Sequence, residues 1–164
     1  MCFKPTPEIY CGYLRGRIAN YEGYHYEHVA SYEAPAVIGG DTIALDGLFL
    51  AKPDYIESKG VGATMFLQFH ATEVNLVIES PEQSAEVEVT LNGSALPDNY
   101  RGTDLADIAT VNVHEPAMYN LVKSDEPVQG IMAVRAKRGS FRAYAFTFSG
   151  CAPTKPRNAT DELS

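Results

Sequence analysis

Apolar and polar residues alternate with a period of two through most of this chain, and no stretch reads convincingly as a helix. Residues 86–91 show the pattern most cleanly. Val87, Val89 and Leu91 fall on one face, and Glu86, Glu88 and Thr90 on the other. This is the signature of a strand with one buried and one solvated face. Asn92-Gly93 follows, and both residues tolerate the positive φ that a tight turn needs. Met65, Leu67 and Phe69 alternate in the same way, as do Val74, Leu76 and Ile78. Residues 63–78 therefore read as two strands separated near Ala71-Thr72-Glu73.

Further strands are expected at 9–13, 42–52, 55–59, 109–113, 118–123, 131–136 and 142–148, with a bend at Asp46-Gly47. Pro116 and Pro127 fall between runs, where a missing N–H breaks no ladder bond. A single sheet of such strands would leave one apolar face in water, so two layers are required. The expected fold is all-β: a two-layer antiparallel β-sandwich of jelly-roll or galactose-binding-like type. Its core should include Leu67, Phe69, Leu76, Val87, Val89, Leu91, Val111, Val113, Leu121, Ile131, Val134, Phe146 and Phe148. One domain is expected over residues 1–151. Residues 1–35 form an irregular aromatic arm within it, and a polar, Pro-containing tail at 152–164 is expected to be disordered.

With 164 residues, 45% of them hydrophobic, the chain can bury a core without staples. No apolar run approaches the roughly 20 residues of a membrane helix, and the first five residues lack the apolar stretch of a secretory signal. A net charge of −8 argues against a nucleic-acid partner. The short basic run Arg135-Ala136-Lys137-Arg138 reads as a solvated strand end. Three cysteines occur, Cys2, Cys11 and Cys151, without any C-x-x-C spacing. The chain therefore has no thioredoxin redox centre and no zinc-finger pattern of its own. A Cys11–Cys151 or Cys2–Cys151 bridge and three free thiols are both open readings. Cys11 and Cys151 are the candidate redox thiols.

No catalytic motif stands out. The acidic residues offer no identifiable glycosidase pair, and G-x-S-x-G is missing. His25 and His28, near Glu22, Glu27 and Glu33, have metal-ligand chemistry but no helix to converge them. Asp98, Asn99, Asp104 and Asp107 have oxygen ligands but no D-x-D-x-D-G loop. No metal and no cofactor is assigned. The candidate ligand contacts are Tyr21, Tyr24, Tyr26 and Tyr32 of the arm, because sugar C–H faces stack on exposed aromatic rings. The competing reading is that the arm lies across the sandwich and buries these rings.

Six segments in order resemble one known family. They are TPEIYCGY at 6–13, LDGLFL at 45–50, FHATEVNLVI at 69–78, VEVTLNG at 87–93, VNVHEPAMYNLV at 111–122 and YAFTFSG at 144–150. Together they are similar to the C-terminal domain that follows the thioredoxin fold in DipZ-like and TlpA-like proteins. The resemblance implies a jelly-roll sandwich shaped like a carbohydrate-binding module. It also implies a non-catalytic domain beside a thiol–disulfide oxidoreductase that works outside the cytoplasm. The thioredoxin domain itself is absent from this sequence, which reads as an excised fragment or a free-standing relative. Cys11 stands where the family usually carries an aliphatic residue. The function expected is a non-catalytic accessory module whose partner is a carbohydrate or a thioredoxin-fold domain. A purely structural or dimerising domain, or a metal-dependent jelly-roll enzyme, is the alternative.

Overall fold

The computed structural model describes residues 2–106 and 109–151. The expected tail at 152–164 and the candidate Asp107 lie outside the described residues. The strands are β1 (Ile9–Tyr10), β2 (Val29–Tyr32), β3 (Ile43–Ala51), β4 (Ile56–Ser58), β5 (Thr64–Glu79), β6 (Ala85–Leu91), β7 (Ser94–Ala95), β8 (Thr110–Val113), β9 (Ala117–Arg138) and β10 (Arg142–Ser149). Among the described residues the only helical element is one 3-10 turn, Asp98–Tyr100. The chain is a two-layer antiparallel β-sandwich, as its alternation requires. The hydrogen-bonded order is β1-β10-β4-β3-β5-β9-β6-β7, with β2 on β3 and β8 on β6.

Two long strands organise it. Residues 64–67 of β5 pair with β3, and residues 73–79 pair with β10. Pairing returns from β10 through β4 and β3 to β5, closing a circuit. β9 follows β5 along nearly its whole length.

Each long strand corrects the sequence reading, which divided it in two. In β5 the register slips between Ala71 and Glu73. Met65, Leu67, Phe69 and Ala71 are buried before the slip, and Thr72, Val74, Leu76 and Ile78 after it. One extra residue changes the parity of the strand, so both halves keep their apolar side chains inward without a turn. In β9, Pro127 sits inside the strand. It falls in the stretch 124–127, between the pairs Glu73↔Lys123 and Ala71↔Val128, where no residue has a register partner on β5. A proline is tolerated there because no ladder bond needs its missing N–H.

The core is lined by Phe49, Phe69, Phe141 and Phe146 among its largest buried side chains. Of the expected core residues, Phe148 is partly buried against the cluster, and Ile131 is 38% exposed. Its neighbour Met132 is buried instead, opposite Leu67. Ile131 and Val134 are three apart and cannot share one face of a strand, and the inward set is Met132, Val134 and Ala136. Asp46-Gly47 does bend β3, with Gly47 at φ 100°. The arm contributes β2, which the alternation did not signal because Val29 faces solvent.

Candidate functional site

The four candidate tyrosines of the arm divide into two packed and two accessible rings. Tyr32 is 6% exposed, and its hydroxyl accepts the His25 N–H at 3.0 Å. Tyr24 is half-buried and donates its hydroxyl to the Cys11 carbonyl at 2.8 Å. Burial pushes both phenols up from their ordinary range. These two rings hold the arm to the sandwich. Tyr26 is 59% exposed and stacks on Tyr13 with centroids 4.3 Å apart. Tyr13 donates to Glu27 at 2.7 Å, and Lys52 donates to the same carboxylate at 2.9 Å. Those two hydrogen bonds, Lys52 first, hold the Glu27 carboxyl below its usual range. Tyr21 is fully exposed. It borders a cleft of about 450 Å³ that also takes in Glu22, His25, Ser31 and Glu33.

A second concavity was not foreseen from sequence. It measures about 500 Å³ and lies on the outer face where β1, β10 and β5 meet. Tyr10, Val77, Tyr144 and Ala145 form its strand side, while Leu14, Arg15, Pro53 and Asp54 come from two turns. The register explains the first group, because Tyr10 pairs with Ala145 and Ala145 pairs with Val77. Gly12 explains the second. A Cβ there would lie 2.3 Å from the Pro53 oxygen, so only glycine lets the two turns touch. Tyr13 N–H and Leu14 N–H then donate to the Lys52 and Pro53 carbonyls.

The trough is lined by aromatic rings held by charge. Arg15 sits 5.0 Å from the centroid of Tyr10, a cation–π distance. Tyr144 donates to Glu79 and lies 5.3 Å from the ring of Tyr55, which Arg142 covers at 5.0 Å. Burial first, then the Glu79 carboxylate, pushes the Tyr144 phenol up. Behind Arg142 the buried Glu57 binds both Arg142 and Lys59. Each of these rings is thus in contact with a charged side chain or with a ring so contacted.

Of the cysteine pairings left open by the sequence, the Cys2–Cys151 bridge is the one formed. Cys151 is bridged to Cys2, with Cα atoms 4.1 Å apart, so a Cys11–Cys151 bridge does not form. Cys11 is a free cysteine buried in the core, and burial pushes its thiol up. His28 is exposed. Asp98 pairs with Arg101, whereas Asp104 accepts the Asn120 N–H at 2.7 Å. Among the described residues no three His, Cys, Asp or Glu side chains come together in a metal-holding group, and no helix is long and apolar enough to cross a membrane.

The fold is similar to the structure of a family two carbohydrate esterase from Cellvibrio japonicus, with 10% identity and a TM-score of 0.54 over 71% of this chain and 34% of that one. A family two carbohydrate esterase from Clostridium thermocellum, in complex with cellohexaose, matches at 19% identity and a TM-score of 0.47, over 68% of this chain and 34% of that one. The chain spans about a third of the length of these structures, and at such identities the likeness concerns the fold alone. No curated protein matches the chain. A family model described as "Thioredoxin like C-terminal domain" matches residues 6–149. The chain belongs to this family of thioredoxin-like C-terminal domains, which makes it an accessory module.

Proposed function

We propose that the module is non-catalytic and holds a carbohydrate chain in the trough between Tyr10 and Tyr144, beside a thiol–disulfide oxidoreductase domain. The observation that carries this reading is the trough itself: two tyrosines are pre-positioned on a rigid sheet next to the Arg15 and Asp54 side chains. Pyranose C–H faces stack on such rings, and the charged side chains supply donors and acceptors for hydroxyl groups. Occurrence of the same fold within a carbohydrate esterase is in keeping with it. An open trough adds little beyond the cost of association, so affinity is expected in the micromolar to millimolar range, about −4 to −8 kcal/mol.

Calorimetric titration with soluble oligosaccharides tests the reading. Tyr10→Ala removes one ring while leaving the β1 backbone in place, and about 1 kcal/mol or somewhat more of binding should go with it, roughly a five- to tenfold rise in Kd. The melting temperature should hardly move. Tyr21→Ala is the comparison: a loss confined to that variant would move the site to the arm cleft, where Tyr21 stands fully exposed. Binding untouched by either change would remove both surfaces from consideration.

A further inference from the structure

We propose that the Cys2–Cys151 disulfide is a thiol–disulfide exchange site for a protein dithiol, and that it latches residues 2–8 along a stretch of β5 that has a strand on one edge only. The gap arises from the sheet itself. β3 leaves β5 at the pair Ile43↔Leu67, and β10 joins it only at Ser149↔Glu73. Between these points β5 has β9 on one side, through pairs from Gln68↔Ile131 to Ala71↔Val128. On the other side it meets the N-terminal strap. Thr6 N–H donates to the His70 carbonyl at 3.0 Å, and His70 N–H donates to Thr6 Oγ1 at 2.9 Å. The Phe3 ring lies 4.5 Å from the His70 imidazole.

The latch is built into the end of β10. Phe3 N–H donates to the Gly150 carbonyl at 2.9 Å. A Cβ on Gly150 would lie 2.1 Å from the Phe3 oxygen, so the approach needs glycine. Thr72 Oγ1, at the β5 bulge, donates to the Ser149 and Cys151 carbonyls. Cys2 and Cys151 are both exposed, whereas Cys11 is fully buried. A dithiol arriving from solvent therefore meets the bridge and not the third cysteine.

The exchange is balanced within the pair of proteins. The partner's thiolate attacks one sulfur of the bridge, the S–S bond breaks, and the departing cysteine thiolate takes a proton from water. A mixed disulfide now joins the two chains. The partner's second thiol, its proton lost to water, attacks the partner's first sulfur in that mixed disulfide; the partner's own disulfide forms, and the remaining cysteine leaves as a thiolate that takes a proton from water. Two electrons and two protons have passed from the dithiol to the bridge, and the partner leaves oxidised. The strap is then held by its few hydrogen bonds and the Phe3–His70 contact, so the backbone at 68–72 becomes reachable.

Incubation of the full chain under native conditions with a reduced C-x-x-C protein dithiol, followed by iodoacetamide trapping and mass mapping, provides the test. The expected result is labelling at Cys2 and Cys151 with none at Cys11, and amide exchange at Phe3 and His70 faster by about tenfold or more, with β6 unchanged. A Cys2→Ser, Cys151→Ser double variant should show the same faster exchange without any dithiol. Labelling of all three cysteines in step would mean that the bridge opens only on global unfolding and would overturn the proposal. A bridge that stays intact while an exposed reference disulfide is reduced would overturn it equally. Labelling at Cys2 and Cys151 with unchanged exchange at His70 would refute the latch.

Discussion

Asn20→Ala should be among the more damaging polar truncations in the protein, although Asn20 lies in a segment that reads as loop. Asn20 is 7% exposed. Its Nδ2 donates to the Leu45 carbonyl at 2.7 Å and to the Glu33 carbonyl at 2.9 Å, and its Oδ1 accepts the Leu45 N–H at 2.8 Å. The amide therefore acts as a strand partner for Leu45, which is buried in β3. Truncation leaves the Leu45 N–H and C=O without partners in the core, at about 1–3 kcal/mol each. Glu33 is exposed, so water can satisfy its carbonyl. The net cost expected is about 2–4 kcal/mol, with the upper end requiring that no water reaches Leu45. For a chain of this size each kcal/mol lowers the melting temperature by about 2–4 °C, so the drop should be roughly 5–15 °C. Urea titration gives the free energy directly and the slope checks two-state behaviour. Asn20→Asp is the diagnostic companion. It retains the acceptor for Leu45 N–H, but at neutral pH it turns a carboxylate toward two carbonyl oxygens. That environment raises the new carboxyl's pKa in the folded state, so the penalty of Asn20→Asp should ease as pH falls and grow as pH rises through that value. A fall of under about 0.5 kcal/mol for Asn20→Ala, within the usual range for surface changes, would refute the reasoning.

Acid sensitivity should trace in part to Glu57. Burial pushes its carboxyl up, and the hydrogen bonds and charges of Lys59 and Arg142 together outweigh that and leave it below its ordinary value. A lowered folded-state value contributes stability above the ordinary carboxyl range, lost as pH falls through the folded value; Glu57→Gln should flatten that acid limb in melts run from neutral to acid pH, and an unchanged profile would count against it. Gly12→Ala puts a Cβ within 2.3 Å of the Pro53 oxygen and 2.4 Å of the Asp54 carbonyl carbon, a backbone clash that should cost about 2 kcal/mol or more. Separation of the two turns should also abolish the proposed oligosaccharide binding in whatever fraction stays folded, and calorimetry of the folded variant checks this.

Inward-facing positions were the part of this chain most open to sequence reading. Period-two alternation located Leu67, Val87, Val89 and Leu91 in the core because burial on one face is a local property of a strand. Continuity of β5 and β9 was not open to the same reading. The bulge at Ala71-Thr72-Glu73 consists of residues without turn chemistry, and the phase change it makes looks like a break. Ile131, expected in the core, has the parity opposite to Val134 and faces outward. The arm tyrosines were found as a cluster, but which rings pack depended on long-range partners: Phe49 for the ring of Tyr32 and the Cys11 carbonyl for Tyr24. The trough was hidden for a related reason. Tyr10, Val77 and Tyr144 lie far apart in the chain, and only the registers of β1 on β10 and of β10 on β5 bring them together. Alternation says that an outward residue is outward, and nothing about its neighbour across the sheet.

The latch and the trough sit at opposite ends of one segment, and the core between them keeps them independent. Residues 2–3 and 9–11 meet β10 and the residues that follow it: Cys2 lies against Cys151, Phe3 against Gly150, Ile9 against Phe146, and Cys11 N–H donates to the Tyr144 carbonyl at 2.9 Å, while Thr6 between them bonds His70 of β5. Midway, Ile9 is 5% exposed and Cys11 is fully buried. Burial of a side chain such as Ile9 stabilises by about 1.5–3 kcal/mol, and the β1 ladder bonds add to it. By contrast Cys2, Lys4, Pro7 and Glu8 are exposed, and among residues 2–8 only Thr6 is buried. Free energy that resists peeling therefore rises sharply at Ile9. Opening of the bridge should loosen the segment no further than residue 8, leaving Tyr10 paired to Ala145 and its ring in the trough. The proposed exchange at the Cys2–Cys151 bridge would thus uncover an edge of β5 and leave the trough between Tyr10 and Tyr144 intact.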